Sequence, residues 1–86
     1  MEFVFSKPFR RAFARLSPRR RGETQKAVGQ YRIDRTQPKL ADHALKGHMT
    51  GLRAFSAAGD LRVIYREEDG FITTILLDAG THSQVY

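Results

Sequence analysis

Three strand-forming runs crowd the second half of this chain, and they constrain its fold more than any other feature. Leu52-Arg53-Ala54-Phe55, Leu61-Arg62-Val63-Ile64-Tyr65-Arg66 and Phe71-Ile72-Thr73-Thr74-Ile75-Leu76-Leu77 are separated by Ala58-Gly59-Asp60 and Glu67-Glu68-Asp69-Gly70. β-Branched and aromatic residues dominate the second and third runs, as suits a pleated, half-buried surface. The two short breaks each contain Gly and read as hairpin turns. Three strands joined in this way pair antiparallel and need a second layer over their apolar face.

The residues ahead of them supply that layer. Glu2-Phe3-Val4-Phe5 reads as a short strand. Ser6 then offers an N-cap, with Pro8 in the first helical turn, where its missing N–H costs nothing. Phe9, Phe13 and Leu16 recur at helical spacing with Ala12 beside them, which predicts an amphipathic helix whose stripe is core. Ser17-Pro18 repeats the start signal at once, so the two helices form an antiparallel pair. The second helix has weaker apolar positions, Ala27, Val28 and Tyr31, and Gly29 costs it about 1 kcal/mol relative to Ala. Packing must hold it, and it should end near Arg35, ahead of Pro38. Residues 36–51 lack periodicity and read as a loop anchored by Leu40 and Leu45. Gly80 is expected to close the last long strand, and residues 83–86 are a candidate final strand. The expectation is one α+β domain over residues 1–86. Its N-terminal strand and two-helix hairpin would pack on an antiparallel sheet of three to four further strands.

Charge narrows the function classes. The net charge of +6 is concentrated in residues 1–35, at +7, while residues 36–86 carry −1. One basic face suited to a polyanion or an acidic protein follows from that asymmetry. The chain has no Cys, which excludes disulfides, thiolate metal sites and thiol nucleophiles. No apolar stretch reaches the length of a membrane span, and the N-terminus lacks a signal-peptide core, so a cytoplasmic protein without membrane contact is expected.

Three His and many Arg remain as candidate chemistry. Metal-free RNA cleavage needs one group to take the 2′-OH proton and another to protonate the leaving 5′-oxygen. It also needs cations on the phosphate, and imidazole and guanidinium supply these roles. His82 follows Gly80 and could be general acid or base, or cap a strand end. His43 follows Asp42, whose carboxylate could fix its tautomer; otherwise it is a loop His. Asp60 could accept a proton, orient an imidazole, or only shape a turn. Arg62 and Arg66 share a strand face with Ile64, opposite Leu61, Val63 and Tyr65. Arg53 shares its phase with Phe55, a pair that could hold phosphate and stack on a base. His48 lies near His43, but no third ligand with zinc-like spacing accompanies them, so neither a metal nor another cofactor is expected.

The ordered set Asp42-His43-x-Leu45-x-Gly47, Gly51-x-Arg53, Asp60-Leu61-Arg62-Val63-Ile64-Tyr65-Arg66 and Gly80-Thr81-His82-Ser83-x-x-Tyr86 resembles the YafQ-type branch of the RelE/ParE toxin superfamily. The resemblance implies a toxin of a type II toxin–antitoxin pair that cleaves mRNA on the ribosome. A cognate antitoxin, acidic and DNA-binding, would neutralise it in a hetero-oligomer. His43, Asp60 and His82 match the branch's acid/base positions, and Tyr86 matches its C-terminal aromatic. Arg53 and Arg62 are the phosphate contacts we expect beside them. A further His of that branch falls on or next to Ser56, which cannot titrate near neutrality. ParE-like relatives that inhibit DNA gyrase without cleaving RNA are the alternative, and a non-catalytic RNA-binding module is a third reading.

Overall fold

The computed structural model describes residues 2–68, 73–81 and 85. Strand β1 (Glu2–Phe5) leads into helices α1 (Lys7–Arg15) and α2 (Pro18–Ile33). Strands β2 (His43–Ala44), β3 (Arg53–Ala58), β4 (Leu61–Glu68) and β5 (Thr73–Thr81) follow. They form one five-stranded sheet in the order β1-β5-β4-β3-β2. The expected α+β architecture is therefore present, with β2–β5 antiparallel and β1 added parallel to β5.

Both helices begin where the sequence places them. The Ser6 and Ser17 hydroxyls accept hydrogen bonds from Phe9 N and Arg20 N, each at 3.2 Å. These caps satisfy amides that would otherwise lack partners in a first helical turn. α2 stops at Ile33, two residues before Arg35, because Asp34 leaves helical geometry and its carboxylate accepts from Thr36. Those bonds hold the Asp34 carboxyl below its ordinary pKa.

The core lies between the helices and one sheet face. Phe9, Val28, Tyr31, Leu40, Phe55, Val63, Tyr65, Leu76 and Ala79 pack together there, with Phe13 and Leu16 partly buried against them. Tyr31 stacks on Phe55 with 5.0 Å between ring centroids and meets Tyr65 edge-on at 5.2 Å. The weak apolar positions of α2 are thus recruited by aromatic partners on the sheet, as its poor helix composition requires.

Four expectations are corrected. The stretch read as plain loop, 36–51, contains β2, paired through His43 with Ala54, and two short 3-10 turns. A two-residue strand is too short to leave a period, which is why sequence pattern missed it. Leu40 is a buried anchor, whereas Leu45 is only half-buried. Gly80 does not close β5: the strand runs on to Thr81 because β4 still offers it partners, pairing Arg62 with Gly80 and Leu61 with Thr81. The second turn starts later than expected, since Glu67 and Glu68 belong to β4, and its remaining residues lie outside the described set. The candidate strand at 83–86 also lies outside it, apart from Val85, which is helical rather than extended.

Candidate functional site

Strand register sorts the candidate residues onto two faces. In an antiparallel pair, directly opposed side chains lie on the same face of the sheet. His43 opposes Ala54, Ala54 opposes Ile64, and Ile64 opposes Asp78, forming one row across the sheet. Ser56, Arg62 and Gly80 form the next row on that face. Both rows lie opposite the helices, because Val63 and Tyr65, their alternates on β4, point into the helix-side core.

Arg62 is where its phase predicts. Its Nη1 donates to Ser56 Oγ at 3.2 Å and to Gly59 O at 2.7 Å. No carboxylate lies within ion-pair reach of Arg62 among the described residues, so its charge remains available to an anion. Ser56, which stands where the resemblance leads one to expect His, points onto this face and holds Arg62 in place.

Asp60 sits in the β3–β4 turn and is well exposed. Its carboxylate lies 3.5 Å from Arg20 Nη2 at the start of α2. His43 is exposed at the sheet edge, and its Nδ1 lies 2.8 Å from the Ala41 carbonyl. A carbonyl can only accept, so Nδ1 must carry the proton, leaving Nε2 to exchange one. His82 and Tyr86 lie outside the described residues. The described part of β5 ends at Thr81, paired with Leu61 and hence beside the turn that carries Asp60.

The register does not bring His43 and Arg62 into contact. Two strand spacings across and two residues along separate their Cα positions by roughly 12 Å, a gap that a bound phosphodiester and two long side chains can fill.

Arg53 is on the other face. It opposes Tyr65, its Nε accepts no proton but donates to the Tyr65 hydroxyl at 3.2 Å, and its Nη2 lies 3.3 Å from Asp42 Oδ2. Phe55 is fully buried beneath α2, so the expected Arg53–Phe55 platform for a base does not exist. The phase was right, but that face is the one the helices cover.

Around Arg53 lies a cluster that the sequence reading missed. Asp42 accepts from Tyr65 Oη, from Arg35 Nη2 at 2.9 Å and from Arg53. Glu67 accepts from Arg35 Nη1 at 2.5 Å and from Tyr31 Oη at 3.4 Å. The Asp42 and Glu67 side chains are 7% and 10% exposed, so two nearly buried carboxylates are balanced by two guanidinium groups. Leaving either carboxylate unpaired would be costly, which ties the end of α2 and the following loop to β3 and β4. Burial opposes the charged form of both Arg35 and Arg53, but the surrounding acceptors outweigh it and raise both above their ordinary pKa. The one available signal was period two, which places Glu67 on the Tyr65 face.

Burial, reinforced by the bond to Asp42, pushes the Tyr65 phenol well above its ordinary value near 10. Below about pH 10 folded and unfolded chains both keep this proton. Above it, only the unfolded chain releases the proton, so stability falls as pH rises. Tyr65→Phe should be less stable than the native chain at pH 8. Above pH 10 that gap should shrink by about 1.4 kcal/mol per pH unit. Urea unfolding at pH 8, 10 and 11 measures it, and a constant gap would refute the assignment.

Among the described residues no three His, Asp or Glu side chains gather as a metal site, and no helix is long and apolar enough to cross a membrane. His48 is exposed in the short 3-10 turn Gly47–Met49. Residues of α1, α2 and the end of β1 form an apolar groove lined by Phe5, Phe9, Phe13 and Val28, with Arg10 and Arg32 as its charged lining residues.

The helices cover one sheet face and leave the other to His43 and Arg62, and solved toxin structures share this fold. YafQ from Escherichia coli strain BL21(DE3) superposes with a TM-score of 0.76 at 20% identity, covering 99% of this chain and 97% of that one. A metal-bound toxin from Helicobacter pylori gives 0.74 at 24% identity over 100% and 99%. A chain of the RelBE2 toxin–antitoxin complex from Mycobacterium tuberculosis gives 0.66 at 22% over 94% and 96%. No curated protein matches the chain by sequence. The family described as the bacterial toxin of type II toxin–antitoxin systems, YafQ, matches residues 1–86. The chain belongs to the YafQ toxin family.

Proposed function

We propose that residues 1–86 form one toxin domain that acts as an endoribonuclease on mRNA in the ribosome, and hence in the cytoplasm. The reading rests chiefly on His43 and Arg62 sharing the sheet face opposite the helices, with Asp60 in the turn where β5 ends. Arg62 would hold the scissile phosphate. A base, His43 Nε2 or His82, takes the 2′-OH proton as the 2′-oxygen bonds to phosphorus. The P–O5′ bond breaks, and the other imidazole protonates the departing 5′-oxygen. The products are a 2′,3′-cyclic phosphate and a 5′-hydroxyl. Both proton transfers are covered by side chains, so no metal or other cofactor is required and EDTA should leave the rate unchanged. Asp60 orients an imidazole or takes part in proton transfer, and Tyr86 contacts a base. Arg53 lies on the helix-side face, where Asp42 and Glu67 balance its charge and Tyr65 accepts from it, so it is a weaker phosphate ligand than Arg62.

Induction of the chain in growing cells tests this reading. Cuts in translated mRNA ending in cyclic phosphate are expected. Intact mRNA with gyrase-linked DNA breaks would instead support a ParE-like inhibitor, and RNA binding without growth arrest would support a simple binding module.

The partner we propose is a protein antitoxin, acidic and DNA-binding, forming a hetero-oligomer with the chain. The groove between α1 and α2 offers it an apolar floor, and both charged residues of its lining are Arg. Reversing both charges, Arg10→Glu with Arg32→Glu, should weaken antitoxin binding at least tenfold, by roughly 1 kcal/mol per lost pair, and titration calorimetry would read it. Unchanged affinity would remove the groove from the interface.

A further inference from the structure

We propose that Asp42 is a positioning residue for His43: clamped from within by Tyr65, Arg35 and Arg53, it holds the turn in which the Ala41 carbonyl fixes the His43 tautomer. The sequence suggests that the Asp42 carboxylate acts on the imidazole directly. It does not, because that side chain turns inward, with Oδ1 accepting from Tyr65 and Oδ2 from both arginines. The ring is instead bonded through Nδ1 to the backbone of Ala41.

That bond depends on an unfavourable backbone. Ala41 has φ 47° and ψ 41°, the left-handed region, which costs a residue with a Cβ about 1–2 kcal/mol. Such a conformation persists only where its surroundings enforce it. On one side the restraint is Leu40, buried in the core. On the other it is Asp42, with a side chain only 7% exposed. The two-residue strand β2 is too short to supply the restraint itself. With Nδ1 occupied, Nε2 is the atom that exchanges a proton with solvent or substrate. The cluster inside the sheet and the imidazole outside it are therefore one device, joined by a single peptide unit.

The consequence for catalysis rests on the endoribonuclease reading, but the tautomer does not, and the test separates them. In the full-length chain, ring nitrogen chemical shifts of His43 should show protonated Nδ1 and unprotonated Nε2 when the ring is neutral. Asp42→Asn keeps the shape but weakens the clamp, and Tyr65→Phe removes the donor to Oδ1 together with the oxygen that accepts from Arg53 Nε. In each folded variant the ring should shift toward a mixture of tautomers. RNA cleavage should fall by about tenfold to a hundredfold, less than outright loss of a general acid or base would cost, which is about 10²–10⁴-fold. Protonated Nε2 in the native chain, or an unchanged tautomer in both variants, would overturn the proposal. If the tautomers behave as stated while His43→Ala cleaves at full rate, the positioning stands and the catalytic reading of His43 falls.

Discussion

His43→Ala and His82→Ala are each expected to slow cleavage of translated mRNA by about 10²–10⁴-fold, the range that a positioned acid or base contributes. Growth arrest on induction should disappear with it. His43 is exposed and its ring bond is to backbone only, so its removal should change stability by no more than about 0.5 kcal/mol. Circular dichroism and urea unfolding would confirm that the loss is chemical. Asp60→Ala should cost less than either His substitution, because Asp60 is exposed and already shares its charge with Arg20 at 3.5 Å. Arg62→Ala should fall between them. Its guanidinium is held by Ser56 and Gly59 rather than by a carboxylate, so its charge is available to the phosphate. A His82→Ala chain that still arrests growth at full strength would sink the acid/base assignment, whatever the fold.

The fold was legible because its signals are local and agree with one another. Ser6 and Ser17 each announce a helix, and the alternation of Leu61, Val63 and Tyr65 announces the buried side of a strand. The site was legible only in part. Phase alone put Arg62 and Ile64 on one face, and register confirmed it. Phase also put Arg53 with Phe55, but no single-strand pattern says which face the helices will cover. The cluster of Arg35, Asp42, Arg53, Tyr65 and Glu67 was not legible. Its members come from the end of α2, a loop and two strands, and no periodicity links residues that meet only after folding. Asp42 shows the difficulty most sharply. Its place beside His43 suggested a contact between side chains, whereas the chain turns it inward and lets a carbonyl do that work.

Phe55 provides the largest stability prediction and also decides between the two meanings of its face. Phe55→Ala should destabilise the chain by about 3–5 kcal/mol, the cost of truncating a fully buried aromatic. The residue is 0% exposed, stacked on Tyr31 at 5.0 Å and 5.6 Å from Tyr65. A chain of this size has only about 4–13 kcal/mol to lose, so the substitution should remove from about a quarter to all of its stability. Phe55→Leu keeps an apolar side chain and should cost clearly less, with cleavage per folded molecule unchanged. A base-stacking role predicts the opposite pattern, in which Phe55→Leu folds normally but binds and cuts RNA poorly. Thermal unfolding with single-turnover cleavage on the same samples separates the two. A stable Phe55→Leu chain with cleavage reduced more than about tenfold, or 1.4 kcal/mol of transition-state binding, would mean that the substrate reaches the helix-covered face.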